Sequence, residues 1–239
     1  MQSKILSVLK HFRKQDSQYR KIRVGTPGDG GYVIPDDLEN IDAVLSLGIG
    51  ADTSFDEYFA NRGVDVFQYD PTVNGPPTPH ERFHFRKIGL GPQDTGLYHT
   101  LPTMIKENGL QAKNNLILKM DIENGEWPAF DVLSYTDLMR FRMIVAELHD
   151  LYLLAQEPYF KTAQKVIEMI ARNHVCVHFH ANNYARAVLV HGIVLYQVVE
   201  VTFLRKDRST FTPSTEPIPS ALDYPNKPGV DDYIVTAFG

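Results

Sequence analysis

A single cysteine, Cys176, stands in 239 residues. A lone thiol has no partner within the chain. An internal disulfide is therefore excluded, and the thiolate sets of structural zinc sites are out of reach. Lysine and arginine are in deficit, 24 against 29 aspartates and glutamates, for a net charge of −5. That argues against a generic nucleic-acid-binding face, although a local basic patch stays open. No apolar run is long enough for a membrane span. The opening residues MQSKILSVLKHFRKQ repeat apolar side chains at Ile5, Val8, Leu9 and Phe12. That is helical spacing with lysines interspersed, which reads as an amphipathic helix rather than a signal peptide. The expectation is a soluble, cytoplasmic protein with neither nucleic acid nor membrane as partner. The composition, 43% hydrophobic and 22% charged, suffices for an ordinary globular core.

What is present is an alternation. Short apolar runs at 43–48, 64–70, 83–90, 116–121, 141–149, 175–181 and 198–206 predict seven strands. Helical patterns fall between them. TSFDEYFANRG (53–63) has Thr53 or Ser54 as its cap and Gly63 as its stop, TLPTMIKENG (100–109) closes on Gly109, and EPYFKTAQKVIEMIARN (157–173) is strongly periodic. Strands alternating with helices predict a mostly parallel sheet covered on both faces. The proline-rich stretch 212–229 predicts a long loop that wraps the surface, closes over a site or contacts a partner, and it is a candidate homodimer surface.

In such sheets ligands bind beyond the carboxyl ends of the strands. The first strand ends in Gly48-Ile49-Gly50, and twenty residues on, Asp70 ends the second. A glycine turn lets backbone approach a ligand, and a carboxylate at that place can accept from both hydroxyls of a ribose. A dinucleotide fingerprint would want a third glycine where Thr53 stands, so one adenosine-type ligand fits better. LILKMDIENGEW (116–127) raises a different problem, because an apolar run ends in two carboxylates, Asp121 and Glu123. Glu147 and His149 close the fifth strand on one face, and His180 and Asn182 close the sixth. Asp121, Glu147, His149 and His180 could hold a divalent metal such as Mg, Mn or Fe. Alternatively His149 or His180 is a general base without metal, or these are hydrogen-bonded core residues. His174 and His178, earlier on the same strand, read as structural. In RVGTPGDGGYVIPDD (23–37), Asp29 and its glycines predict a hairpin turn, or a loop that brings Asp29 and Tyr32 to the ligand.

These residues carry a resemblance. LSLGIGADTSF resembles the glycine-rich first motif of class I S-adenosylmethionine-dependent methyltransferases, FQYDP their acidic second motif, and KMDIENGEW their motif at the fourth strand. Together, DGGYV, KMDIENGEW, AELH, HFHANN and VVEVTFLRK resemble the FkbM-like methyltransferase domains, some of whose relatives are sugar O-methyltransferases of bacterial polysaccharide and antibiotic pathways. The resemblance runs from about Arg23 to Lys206. It implies an α/β, Rossmann-like class I methyltransferase fold with a mostly parallel seven-stranded sheet. One domain would span 1–239, with a helical and loop segment at 1–40 and the proline-rich loop at 212–229.

It also implies S-adenosyl-L-methionine as cofactor. Gly48 and Gly50 would approach its methionine part, Asp70 its ribose and Ile88 or Gly89 its adenine. Asp29 would belong to the covering loop, and Asp121 would lie near the reactive methyl or the metal. Two departures are Ser46, where an acid is usual, and the absent third glycine. No Asn/Asp-Pro-Pro-Tyr motif of amino-group methylation is present, which points to oxygen as the acceptor. The function expected is metal-assisted O-methylation of a sugar or nucleotide-sugar hydroxyl. Asp121, His149 and His180 would be its catalytic residues. Its rivals are a metal-free O-methyltransferase of another small molecule with a histidine general base, a nicotinamide-dependent oxidoreductase using His149, and a non-catalytic binding domain.

Overall fold

A computed structural model describes residues 1–236. The last three residues of the expected domain lie outside the described ones. In chain order the elements that matter here begin with α1 (Gln2–Leu9), a hairpin β1 (Lys21–Val24) and β2 (Tyr32–Pro35), β3 (Ala43–Leu47), α2 (Ser54–Ala60), β4 (Val66–Tyr69) and β5 (Phe83–Arg86). They continue with α3 (Leu101–Glu107), β6 (Leu116–Met120), α4 (Glu126–Asp131), β7 (Phe141–His149), α5 (Glu157–Asn173) and β8 (His174–Ala181). A second hairpin, β9 (Ala187–Val190) and β10 (Ile193–Tyr196), precedes β11 (Val198–Arg205).

The central sheet has seven strands in the order β8-β11-β7-β6-β3-β4-β5. The pairs β3–β4, β3–β6, β4–β5 and β6–β7 are parallel, and β11 runs antiparallel between β7 and β8. This is the Rossmann-like methyltransferase architecture that the resemblance implies. The chain winds outward from β3 to β5, then returns to place β6 on the other side of β3. The crevice at that reversal is where such a sheet offers a ligand site.

Alternation along the strands divides the core. Leu45, Leu47, Leu116, Leu118, Ile144, Ala146 and Leu148 face the larger cluster, covered by α1, α3, α4 and α5. In α5 the buried set Phe160, Ala163, Val166, Ile167 and Ile170 gives the expected apolar stripe. The opposite face holds Val44, Ile117, Met143 and Val145 under α2 and the first hairpin. Continuing in steps of two along β6 and β7, this second face carries Lys119, Asp121, Glu147 and His149. Here apolar packing gives way to a polar site at the carboxyl ends.

Several expected bounds shift. The run 83–90 splits, since β5 ends at Arg86 and Gly89–Leu90 pairs with Tyr98–His99 in a separate two-stranded piece. Thr53 holds the N-cap position of α2, as expected, but its side chain makes no cap hydrogen bond. The Asp52 carboxylate accepts from the Ser54 N–H at 2.7 Å.

Candidate functional site

A cavity of about 580 Å³ opens at the switch point, a size suited to a cofactor. Gly48, Ile49 and Gly50 form one wall, Asp70 to Thr72 another, and Gly89, Leu90 and Tyr98 the far end. Asp121, Ile122, Glu123 and Lys119 make its floor, and Asp29 and Gly30 overhang it from the first hairpin. Ile88 does not line this cavity, because its side chain packs against the larger core and its neighbours Gly89 and Leu90 take that place.

The two glycines of the first turn have different reasons to be glycine. Gly48 has φ +76°, and a Cβ there would come to 1.6 Å from the Asp121 carbonyl oxygen. The close approach it permits is to the end of β6. Gly50, with φ +51°, faces open space. Asp70 secures the turn between them, since its Oδ2 accepts from the Ile49 and Gly50 N–H groups, each at 3.0 Å. Its Oδ1 accepts from the Thr72 N–H and hydroxyl at 2.7 and 2.6 Å. Four acceptor sites are thus engaged, about the full capacity of a carboxylate. Burial alone would raise Asp70, but these hydrogen bonds outweigh it and hold it below its ordinary value.

Of the two readings of the first hairpin, the structure shows the turn itself and places Asp29 and Gly30 at the cavity. Its strands pair antiparallel from Lys21 with Pro35 to Val24 with Tyr32. The Thr26 hydroxyl donates to Asp52 at 2.8 Å and its N–H to Ser54 Oγ at 2.9 Å, which pins the turn to the start of α2. Tyr32 reaches down from β2 and donates its hydroxyl to Asp121 Oδ2 at 3.2 Å. Burial, then the surrounding carboxylates, push the Tyr32 phenol well up, so it acts here as a donor.

Beyond the cavity floor is a concentration of acid. Ligand atoms of Asp121, Glu123 and His149 lie within 4.8 Å of one another, as do those of Asp29, Glu147 and Glu200. The two groups adjoin, since His149 Nε2 is 3.3 Å from both Glu123 Oε2 and Glu147 Oε1. The other ring nitrogen, Nδ1, meets Glu126 Oε1 at 3.1 Å, and Glu126 is fully buried. A buried carboxylate behind one imidazole nitrogen orients the ring and leaves the other for a cation. Burial by itself lowers the His149 imidazole, but the Glu126 hydrogen bond and charge, with Glu147 and Glu123, raise it to about 9. Glu147 is pushed well above the ordinary carboxylate range by burial, then by Asp121 and Glu200. One buried atom, Asp121 Oδ1, has no hydrogen-bond partner among the described residues. Crowded carboxylates, a histidine oriented by an acid and an orphaned oxygen are the donor set a hard divalent cation takes.

The structure does not bring His180 into this group. Its Nδ1 is 3.0 Å from Glu200 Oε2 and its Nε2 is 2.8 Å from Asp232 Oδ2. Burial would lower it, but these two hydrogen bonds raise it to about 10, so it is an imidazolium with both nitrogens engaged and no lone pair for a metal or a proton. Its partner Asp232 follows the proline-rich segment, which crosses the polar face as a strap. His178 Nε2 meets Asp223 at 2.9 Å, and Asn226 Nδ2 donates to Asp29 and Glu200. His174 donates to the Phe141 carbonyl at 2.8 Å, away from the site. Sequence reasoning missed Lys119, Glu126, Glu200, Asn226 and the aspartates of the strap. For Glu200 a signal existed, since an acid interrupts VVEVTFLRK on the strand beside Glu147.

No protein-family model matches the chain, and no curated protein matches it. Among solved structures it is similar to a protein of Anabaena variabilis ATCC 29413 provisionally named a methyltransferase from an antibiotic biosynthesis pathway. The identity is 12% and the TM-score 0.33, over 59% of this chain and 59% of that one. At that level the likeness carries no functional argument.

Proposed function

We propose that the chain is an S-adenosylmethionine-dependent methyltransferase of FkbM-like type that methylates a hydroxyl of a sugar or nucleotide sugar with help from a divalent cation. The observation that carries this reading is the junction of the two halves of the site. The cavity at the switch point ends on Asp121, whose buried Oδ1 is unpartnered among the described residues and whose neighbours are Glu123 and His149. Five carboxylates line that cavity (Asp29, Asp52, Asp70, Asp121 and Glu123) against one ammonium, a field that suits a sulfonium cation.

Bound there, S-adenosylmethionine supplies a methyl group already on a good leaving group, so the residues need only aim an acceptor oxygen and dispose of its proton. A divalent ion held by Asp121, Glu123 and His149 would lower the pKa of an acceptor hydroxyl. Glu126 fixes the His149 ring for this, and Tyr32 fixes Asp121. The sugar acceptor rests on the resemblance of KMDIENGEW, AELH and HFHANN alone. A histidine base without metal is the second reading. It would use the same His149 ring, held at Nδ1 by Glu126, with Nε2 as the base.

The test is calorimetric titration of S-adenosylhomocysteine before and after chelation, with elemental analysis of the protein, followed by methyl transfer to a panel of nucleotide sugars. Binding with stoichiometric metal and chelator-sensitive turnover is expected. Turnover unaffected by chelation would move the chemistry to the second reading. Binding of NAD(P) in place of S-adenosylhomocysteine would end both.

A further inference from the structure

Lys119 is hard to explain as core. It stands on the central strand β6 between Leu118 and Met120, and its side chain is only 8% exposed. A buried ammonium is costly unless its donors are satisfied. Among the described residues, its hydrogen bond goes to the Gly48 carbonyl. The nearest carboxylate oxygen, Asp121 Oδ2, is 3.8 Å away, beyond hydrogen-bond distance, and the Tyr32 ring centroid is at 5.7 Å. An ammonium has three donors, so two are without a hydrogen-bond partner among the described residues, on a side chain that lines the cavity. It is the one cation among the cavity-lining residues. The other cation at this end, Arg23, is committed to the hairpin turn, where its guanidinium donates to the carbonyls of Thr26, Gly28, Gly31 and Leu222.

We propose that Lys119 receives the carboxylate at the amino-acid end of the cofactor. This rests on the methyltransferase reading and deepens it. The amino-acid end is a zwitterion, and a site for it needs one fixed cation flanked by fixed anions. Lys119 beside Asp121, at the glycine turn, supplies that arrangement where every other charge lining the cavity is negative.

The test compares two probes by calorimetry, S-adenosylhomocysteine and its decarboxylated analogue, which keeps the amine and lacks only the carboxylate. The wild-type protein is expected to prefer S-adenosylhomocysteine by about ten- to hundredfold, the worth of one charge-assisted hydrogen bond. Lys119→Met and Lys119→Gln should lose that preference, with affinity for the decarboxylated probe unchanged or improved. Retained binding of that probe also reports that the variants are folded. Equal wild-type affinity for the two probes overturns the assignment with no variant needed, as does a parallel loss of both probes in folded variants. Wild-type binding of neither probe overturns the methyltransferase reading, and the assignment with it.

Discussion

At Gly48 two demands fall on one atom. The left-handed φ of +76° costs an L residue about 1–2 kcal/mol, and a methyl group would also drive into the Asp121 carbonyl, which lies where the cavity floor begins. Gly50 bears only the first demand. Gly48→Ala should therefore lower the urea midpoint by clearly more than Gly50→Ala, whose cost should stay near 1 kcal/mol. Equal effects would mean the approach of β6 to the turn is looser than described. His174 offers a pH test away from the site. Burial holds its imidazole down, to about 4 from an unfolded value near 6.5. Between those values the unfolded chain binds more protons, so the contribution of this residue is full above about 6.5 and is lost as pH falls toward 4. Urea unfolding at pH 7 and 4.5 should show wild type losing up to about 3 kcal/mol more than His174→Gln. Single residues of the site were only partly legible. Glu147 and His149 could be placed together because a strand alternates with period two. Glu126 could not be paired with His149, because the turn that aims it passes through left-handed Glu123 and Asn124, which no periodicity announces.

Elements were read with more success where burial imposes a rhythm. The bounds of β7 and α5 are those of the apolar run and of the helical stripe. The second hairpin, Ala187–Tyr196, is not legible in this way. It is half exposed, so the contrast that betrays a strand is weak, yet His191 and Gly192 both have positive φ and form the two-residue turn that such a hairpin favours. The strap over the polar face was legible as a loop, but what it covers was not, since its aspartates meet histidines more than forty residues earlier. Asp223 is the firmest of these clips. It takes the His178 ring at 2.9 Å and caps the Ser220 N–H at 2.6 Å, and His178 keeps it ionised far below the usual carboxylate range. Asp223→Ala should cost about 2–3 kcal/mol. Limited proteolysis should then cut within 212–229 at least tenfold faster, with the sheet surviving as a resistant fragment. Unchanged proteolysis would mean the strap is held by Asn226 and Asp232 without it.

For the molecule as a whole, the acid group makes stability conditional on what fills it. Carboxylates of Asp29, Asp121, Glu147 and Glu200 repel one another at close range, so a divalent cation should raise the melting temperature. At a hundredfold excess over its dissociation constant the gain is about 2.7 kcal/mol, or roughly 5–10 °C for a chain of this size. Asp121→Asn should change sign with conditions, raising the melting temperature in chelator and lowering it in excess cation. A drop under both would show Asp121 to be held for the fold alone. The order of strands has a further consequence for manufacture in the cell. β8 touches the sheet only through β11, which is made later and must slide between β7 and β8. Until β11 has emerged and paired, the nine-residue edge FRMIVAELH stays bare on the side away from β6. A nascent chain paused before then presents a long sticky border to its neighbours. Protection by a chaperone matters most in that interval, before a single antiparallel strand closes the gap.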